Sequence, residues 1–258
     1  MAQLMANIHP KAEIGNNVTI EPFATVGADV KIGDGSWIGP GAVLMDGARI
    51  GKNCQIFPGA VISAIPQDLK FDGEYTTTVI GDNTTIRECV TINRGTSDKL
   101  KTEVGHDCLL MAYVHVAHDC IIGNHCVIAN SVNIAGHVEI EDWVILEGTV
   151  AIQQFVKIGA HCFIAGGSLI RKNVPPYVRA AREPLSYVGV NSIGMRRRGF
   201  SDQAIIWVED IYRTIYIHNT NITKALKIAE LEMPSSPEKD HILNFIRTSD
   251  KGIMRGPL

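Results

Sequence analysis

The sequence predicts a parallel β-helix of six-residue repeats, followed by a small helical domain. From residue 8 to residue 175 there are 28 successive hexads, and 25 of them begin with Ile, Leu or Val. The fifth place of the hexad is small or branched, and the second often carries Gly, which tolerates positive φ at a tight corner. A period of six with such turns is typical of solenoids whose coils bury their apolar faces by stacking.

Acidic residues interrupt the repeat at two places and predict loops there. Hexads beginning at Asp68 and Glu74 would bury a carboxylate at a large desolvation cost, so residues 64–78 are expected to leave the coil. Asp98 begins another such hexad and predicts a second excursion over 95–102. Because long loops in solenoids often carry function, both loops are candidate site segments.

Two consecutive prolines, Pro175 and Pro176, end the repeat because each fixes φ and lacks an amide donor. We therefore divide the chain into a β-helix over 1–176 and a linker with a helical domain over 177–258. The linker is expected to be irregular as far as Phe200.

Three helices are predicted after the linker. The first follows Ser201 as its N-cap and contains an apolar run over 205–217. The second spans about 222–232. The third follows the N-cap Ser236, with Pro237 at its first position. These helices would cover the open end of the solenoid, which every stack of repeats requires.

Composition predicts an ordinary globular protein, with 45% hydrophobic and 20% charged residues. No apolar run approaches the roughly 18 residues of a spanning helix, and residues 1–10 lack the parts of a signal peptide, so a cytoplasmic location is expected. Five of the six cysteines fill the fifth place of a hexad and are expected to be reduced core residues. From residue 170 onward 14 Lys and Arg face 9 Asp and Glu, so this part should meet an acidic partner.

The repeat resembles the left-handed hexapeptide-repeat helix, in which three hexads make one triangular coil. The left-handed sense is an implication of this resemblance. Residues 18 apart would then lie about 4.8 Å apart on neighbouring coils. His118 would stack on Gly136, Gly136 on Gln154, and His115 on Asn133. His137, beside Gly136, would join them.

His118 is the candidate general base of this cluster. A base needs its second ring nitrogen held by a carboxylate or carbonyl, which fixes the tautomer and the direction of the ring. Asp119 is the first candidate for that group, and a backbone carbonyl would serve as well. One flat face offers half a pocket, and proteins with this repeat are usually trimers with sites between subunits, so a homotrimer is expected.

An ordered set of motifs makes the resemblance narrower, and it covers essentially the whole chain. The motifs occupy residues 115–120, 135–138, 154–155, 173–177, 189–191 and 196–200. Together they resemble the UDP-N-acetylglucosamine acyltransferases that catalyse the first step of lipid A biosynthesis. The resemblance implies transfer of an (R)-3-hydroxyacyl chain from acyl carrier protein to the 3-hydroxyl of UDP-N-acetylglucosamine. It implies no cofactor and no metal.

Matching positions give roles to individual residues. His118 would take the proton from the sugar hydroxyl, and the backbone N–H of Gly136 would stabilise the oxyanion. The residues matched to substrate binding are Gln67, Asp68, Lys70, His115, His137, Gln154, Asn191, Arg197 and Arg198. Gly166 matches the position that limits acyl length, and its small size would leave room for a long chain. Gln153 replaces a frequent His, and Ile193 replaces an acid found in some members, so nucleotide affinity is expected to differ.

Other functions on the same fold would make different demands on the sequence. A trimeric zinc hydratase would use His115, His118 and His137, whose spacing does not resemble the ligands of that class. An acetyl-coenzyme A acetyltransferase would differ in its acyl donor. The later N-acyltransferase of the same pathway normally carries an extra N-terminal domain, for which repeats beginning at Ile8 leave no room. A non-catalytic solenoid would leave the histidines unexplained.

The basic residues favour a protein partner over nucleic acid. The run over 196–198 lacks an aromatic platform, and the whole chain has a net charge of −3, so no nucleic-acid partner is expected. Arg171, Lys172, Arg179 and Arg182 fit the docking of an acidic carrier protein better.

Overall fold

The computed structural model describes residues 5–218 and 221–257. The first four residues of the predicted β-helical domain, and residues 219, 220 and 258 of the predicted second domain, lie outside the described residues. The described chain forms a left-handed parallel β-helix that ends in a β-hairpin and helices. The fold class predicted from the sequence is therefore confirmed.

Short strands form the walls of the β-helix, two to a few residues each. In chain order they are β1 (Asn7–Ile8), β2 (Glu13–Ile14), β3 (Thr19–Ile20), β4 (Thr25–Val26), β5 (Lys31–Ile32), β6 (Trp37–Ile38), β7 (Val43–Leu44), β8 (Ala48–Ile50), β9 (Gln55–Ile56), β10 (Val61–Ala64), β11 (Thr77–Ile80), β12 (Thr85–Ile86), β13 (Thr91–Asn93), β14 (Lys101–Val104), β15 (Leu109–Leu110), β16 (His115–Val116), β17 (Ile121–Ile122), β18 (Val127–Ile128), β19 (Asn133–Ile134), β20 (Glu139–Ile140), β21 (Ile145–Leu146), β22 (Ala151–Ile152), β23 (Lys157–Ile158), β24 (Phe163–Ile164) and β25 (Leu169–Ile170).

Every third strand belongs to the same parallel sheet, so the coils form a triangular prism. The first sheet runs from β1 to β25, the second from β2 to β23, and the third contains β3 to β24. We call the corner between the first and second sheets the first edge, that between the second and third sheets the second edge, and that between the third and first sheets the third edge. Each coil turns once at every edge.

The strand register confirms the coil of 18 residues. Val116 pairs with Ile134, and Ile134 pairs with Ile152, on successive coils of the first sheet. The aliphatic residue that begins each of these hexads points inward and is at most 4% exposed. Stacking these residues builds one continuous apolar core, as the period of six predicts. The five cysteines expected in the core are free and buried, and Cys89 is exposed.

Both predicted loops are present, and both leave the prism at the first edge. The coil from Ile50 to its partner Ile80 is twelve residues longer than a regular coil. The coil from Ile80 to its partner Val104 is six residues longer. The segment between β10 and β11 carries the longer insertion, and the segment between β13 and β14 carries the shorter one. Acidic residues at inward positions therefore predicted the sites of insertion correctly.

The expectation of an irregular stretch as far as Phe200 is wrong. Strand β26 (Val178–Ala181) adds parallel to β24, and β27 (Ser186–Val190) pairs antiparallel with β26. A short helix, α1 (Ser192–Arg197), follows. The edge of the third sheet provides the pairing partner for β26, which no local sequence pattern reveals. The predicted domain boundary at residue 176 stays a prediction, and the third sheet continues beyond it.

The remaining helices lie where the sequence predicts them. They are α2 (Asp202–Tyr216), α3 (Ile222–Glu232) and α4 (Pro237–Arg247). Ser201 and Ser236 are the N-caps of α2 and α4. The buried Tyr212 hydroxyl donates to the Pro176 carbonyl at 2.6 Å and so joins α2 to the end of the solenoid. None of the helices in the described ranges has the length and apolar content that crossing a membrane requires.

Candidate functional site

The histidine cluster predicted from the sequence lies on the first edge of the prism. His118 follows β16, Gly136 and His137 follow β19, and Gln154 follows β22. The His118 ring lies so close to Gly136 that a Cβ added to the glycine would be 2.7 Å from Nε2. His115 pairs with Asn133 on the adjacent strand, as expected. The vertical stacking inferred from the repeat is thus observed at these positions.

Asp119 holds the imidazole of His118. The Nδ1 atom of His118 lies 2.8 Å from Oδ2 of Asp119, and both side chains are at most 5% exposed. The sequence left either a carboxylate or a backbone carbonyl as the partner, and the structure has the carboxylate. With Nδ1–H donated to Asp119, the unprotonated nitrogen of a neutral ring is Nε2, on the side of Gly136.

The shorter loop supplies further donors to the Asp119 carboxylate. Oδ1 accepts the backbone N–H of Thr96 at 2.9 Å and that of Lys99 at 3.1 Å, and Oδ2 accepts the Thr96 hydroxyl at 2.6 Å. Burial by itself would raise the pKa of Asp119, but the donors from Thr96 and His118 outweigh it, and the pKa is lowered. The carboxylate therefore stays ionised at neutral pH although it is buried.

His137 forms the next layer of the cluster. Its ring meets the His118 ring edge-on at 5.0 Å and stacks on Phe155, one coil further along, at 4.5 Å. Nδ1 of His137 lies 3.0 Å from a carboxylate oxygen of Asp98 in the shorter loop. The side chain is 13% exposed, and its Nε2 atom lies 3.9 Å from Oδ2 of Asp119, the oxygen that also holds His118. Gln154, beside Phe155, is exposed at the same edge.

The longer loop brings Asp68 to the cluster. Oδ2 of Asp68 lies 3.8 Å from Nε2 of His118, which is too long for a hydrogen bond but close enough for both atoms to contact one bound group. The neighbouring Lys70 is exposed, and its backbone N–H donates to Oδ1 of Asp68. Gln67 is exposed as well. Of the three residues predicted in this loop, Asp68 is the one observed beside His118.

His115 lies on the first sheet next to the cluster. Its Nδ1 is 2.8 Å from the hydroxyl of Thr91 on the preceding coil. Burial lowers the pKa of His115, so the ring is neutral at neutral pH and retains one hydrogen-bond donor and one acceptor.

Asn191 and Arg198 lie on the second edge, away from His118. The buried Asn191 caps helix α1: its side chain accepts the N–H of Gly194 and donates to the His161 carbonyl at 2.8 Å. Nη1 of Arg198 is 3.3 Å from Nδ1 of His161, and its guanidinium lies over the Trp143 ring at 5.2 Å. Burial, followed by the charge of Arg198, lowers the pKa of His161 to about 4.

The predicted site residues therefore occupy all three edges. Arg197 is exposed beside Arg198 at the second edge, and Gly166 lies in the corner between β24 and β25, at the third edge. The backbone N–H of Gly166 donates to Glu147. One copy of the chain does not bring His118, Arg198 and Gly166 into a single pocket. Their roles in substrate binding stay predictions.

One group of side chains in the described residues has the spacing of metal ligands. One ligand atom each of His118, Asp119 and His137 lies within 4.8 Å of the others. His115 is outside this group, whereas the zinc alternative required it. The hydrogen bond between His118 and Asp119 already accounts for two of the three groups, as an orienting pair.

The sequence did not identify every residue of these clusters. Thr96 and Lys99 were missed, although the shorter loop that carries them was a candidate segment. Trp143 and His161 on the second edge were also missed. Comparing residues that lie 18 positions apart would have found Trp143 and His161. The Trp143 ring stacks between the rings of His125 and His161, with ring planes within 18° and 6°.

Two family models match separate segments of the chain, which together make up more than half of it. A model described as UDP N-acetylglucosamine O-acyltransferase, domain 2, matches residues 173–254. A model described as bacterial transferase hexapeptide (six repeats) matches residues 29–64 and 101–136. The first match contains the hairpin and the helices, and the second lies in the β-helix.

Relatives and solved structures cover nearly the whole chain. An acyl-[acyl-carrier-protein]–UDP-N-acetylglucosamine O-acyltransferase of Janthinobacterium sp. (strain Marseille) is 42% identical over 255 residues, 97% of each chain. The crystal structure of a UDP-N-acetylglucosamine acyltransferase from Bacteroides fragilis is 50% identical, with a TM-score of 0.98 over 99% of this chain and 100% of that one. The corresponding enzyme of Acinetobacter baumannii is 39% identical, with a TM-score of 0.95 over 98% and 99% of the two chains. The repeat, the site geometry and these likenesses agree: the chain belongs to the family of acyl-[acyl-carrier-protein]–UDP-N-acetylglucosamine O-acyltransferases.

Proposed function

We propose that this chain transfers an (R)-3-hydroxyacyl group from acyl carrier protein to the 3-hydroxyl of UDP-N-acetylglucosamine, the first step of lipid A biosynthesis, with His118 as the general base. The observation that carries the proposal is the pair formed by His118 and Asp119 beside Gly136. Asp119 fixes Nδ1, so Nε2 is the atom that accepts a proton in the cleft.

The reaction is a single displacement. Nε2 of His118 takes the proton of the sugar 3-hydroxyl while its oxygen attacks the thioester carbonyl. The oxyanion forms beside the backbone N–H of Gly136, which donates to no acceptor among the described residues. The C–S bond then breaks, the ester remains on the sugar, and protonated His118 returns the proton to the carrier thiolate.

The other residues of the first edge suit a sugar nucleotide. Asp68 Oδ2 lies 3.8 Å from Nε2 of His118, so a sugar hydroxyl beside this pair would contact both atoms. His115 and His137 offer ring nitrogens to sugar and pyrophosphate oxygens, with Gln154 at the rim. Gln67 and Lys70 extend this surface on the longer loop.

The complete site is proposed to form between copies of the chain in a homotrimer. Arg198 and Asn191 lie on the second edge and Gly166 on the third, so an adjacent subunit would have to bring them to the first edge. Arg197 and Arg198 would then contact the phosphates, because a guanidinium binds phosphate oxygens through paired donors. Gly166 would leave space at the end of a long acyl chain.

The partner is proposed to be acyl carrier protein in the cytoplasm. Arg171, Lys172, Arg179 and Arg182 are exposed near the last coil, where they offer positive charge to an acidic protein. Within the described part of the chain Lys172 and Arg179 form no ion pair, whereas Arg171 pairs with Glu183 at 2.6 Å. These two residues are therefore the first to test for carrier docking.

The decisive experiment measures the product directly. Purified protein is incubated with UDP-N-acetylglucosamine and a series of 3-hydroxyacyl carrier proteins, and the acylated nucleotide is detected by mass spectrometry. His118→Ala should reduce kcat at least about 10²-fold with the fold and assembly intact. Acetyl-coenzyme A serves as the control donor. A wild-type kcat in His118→Ala, or equal use of acetyl-coenzyme A, would contradict the proposal.

Mixed assemblies test whether the site lies between subunits. His118→Ala and Arg198→Ala are each expected to lose activity as pure assemblies. After the two are unfolded and refolded together, some interfaces would pair an intact first edge with an intact second edge, and activity should return in part. If every active site belongs to one chain, mixing will restore nothing.

A further inference from the structure

We propose that Thr96 is a positioning residue for the reaction, and that the inserted hexad of the shorter loop exists to hold the Asp119 carboxylate against His118. The inference rests on the proposed function, because it assigns Thr96 a role through the general base. Thr96 does not contact His118 itself. It acts on the group that sets the direction and tautomer of the ring.

The hydroxyl of Thr96 has only one way to point its proton. Its oxygen accepts the backbone N–H of Asp98 at 3.3 Å and lies 2.6 Å from Oδ2 of Asp119. Because an ionised carboxylate only accepts hydrogen bonds, the hydroxyl proton must lie on the line to Asp119. The same Oδ2 atom receives Nδ1–H of His118 at 2.8 Å. Thr96 therefore fixes the oxygen atom that fixes the imidazole.

The loop backbone holds the second oxygen of the carboxylate. Oδ1 accepts N–H groups from Thr96 at 2.9 Å and from Lys99 at 3.1 Å, two donors that lie on the same short loop. The backbone N–H of Asp119 donates to the hydroxyl of Thr102, where the loop rejoins the second sheet. Asp119 has no exposed surface, so water does not replace any of these donors. A buried carboxylate persists only with such a set of partners.

The location of the insertion supports this role. The shorter loop makes the coil between Ile80 and Val104 six residues longer than a regular coil. The loop lies against the corner that carries Asp119, where the N–H groups of Thr96 and Lys99 donate to the carboxylate. The corner one coil further along, at Gly136 and His137, has no insertion and no buried carboxylate. The loop and the orienting acid thus occur together.

The experiment compares three variants in the assembled protein. Thr96→Val keeps the shape and the backbone N–H but removes the hydroxyl donor, whereas Thr96→Ser keeps the donor. Thr84→Val is the matched control, because Thr84 is also buried and its hydroxyl donates to the Gly105 carbonyl on the second edge, away from His118. Steady-state rates are measured with UDP-N-acetylglucosamine and 3-hydroxyacyl carrier protein across pH, and the melting temperature is recorded for each variant.

We expect Thr96→Val to lower kcat about 10-fold or more, since a hydrogen bond to a charged group is lost, and to change KM for the sugar nucleotide less than threefold. Loss of the donor also raises the pKa of Asp119, so activity should begin to fall at a higher pH on acidification than in the parent. Thr96→Ser should restore both properties, and Thr84→Val should change only the melting temperature. Should Thr96→Val unfold, Thr96→Ala removes the same donor without the added methyl group.

Two results separate failure of this inference from failure of the proposed function. If His118→Ala is inactive but Thr96→Val keeps the parental kcat and pH profile, Thr96 does not position the base and the proposed function stands. The inference is equally wrong if Thr84→Val lowers kcat as much as Thr96→Val, because general loss of packing would then explain both. If His118→Ala itself keeps full activity, the proposed function fails first.

Discussion

Replacing Gly136 by Ala should displace the imidazole of His118 without disturbing the fold. The added Cβ would lie 2.7 Å from both Nε2 and Cε1 of His118, and 3.2 Å from Nδ1. Ordinary contact begins near 3.4 Å, so the ring must move by about 0.7 Å. Its hydrogen bond to Asp119, now 2.8 Å long, would stretch toward about 3.5 Å, where little of it remains.

A shift of this size at the proton-accepting atom should lower kcat roughly 10²-fold, because the reaction rate falls steeply when a reacting group is misplaced by about 1 Å. KM for UDP-N-acetylglucosamine should change much less, since the contacts of Asp68 and His115 remain. Initial rates with carrier-bound 3-hydroxyacyl donor, read by mass spectrometry, give both constants. Circular dichroism and sedimentation report fold and assembly.

Gly148→Ala is the control for the general cost of adding a methyl group. Its Cβ would meet only the Asn130 carbonyl, at 3.4 Å, and it lies on the third edge. The melting temperatures of the two variants should be similar to within a few degrees. A Gly136→Ala enzyme that keeps kcat within threefold of the parent would refute the proposed position of the reacting atoms beside this ring.

Three further predictions concern stability and thiol chemistry. Burial and the nearby Arg198 lower the pKa of His161 from the ordinary 6.5 to about 4. On acidification the unfolded chain therefore binds this proton before the folded chain does, and the free energy of unfolding should fall as pH drops from 6.5 to 4. In urea titrations His161→Phe should flatten this dependence, and an unchanged slope would contradict it. Tyr212→Phe leaves the Pro176 carbonyl without its donor and should lower the free energy of unfolding by about 1–3 kcal/mol, seen as a lower urea midpoint at constant m; an unchanged midpoint would show that the bond contributes nothing. Of the six cysteines only Cys89 is exposed, so a thiol reagent should label one site quickly in native protein and six after denaturation, and faster labelling of core thiols would mean that the coils open.

The features predictable from the sequence were those that repeat. An inward residue such as Ile134 makes the same contact on every coil, so its period alone indicates the sheet, the register and the core. The same register predicts from the sequence that His118 lies over Gly136, as the structure shows. Asp68 and Asp98 marked the insertions because no apolar stack tolerates a carboxylate.

The features that escaped prediction depend on single contacts between unlike segments. Thr96 and Asp119 are 23 positions apart in the sequence, which does not correspond to the 18-residue coil. Only the folded loop brings the two side chains together. Strand β26 exists because β24 offers an unpaired edge, not because its own residues demand it. Asn191 was predicted to contact nucleotide, yet in this chain its amide is largely occupied by capping α1 and bonding the His161 carbonyl.

The lengths of the two insertions show what kind of change this architecture tolerates. Ile80 and Val104 return to the inward column after detours of twelve and six residues, so the stack beyond each detour is unaltered. Each detour leaves and rejoins the prism at the same corner, so the later aliphatic side chains keep their inward positions. Grafting or deleting a loop at a corner is therefore a route by which new surface chemistry can be added to such a scaffold while its interior is conserved.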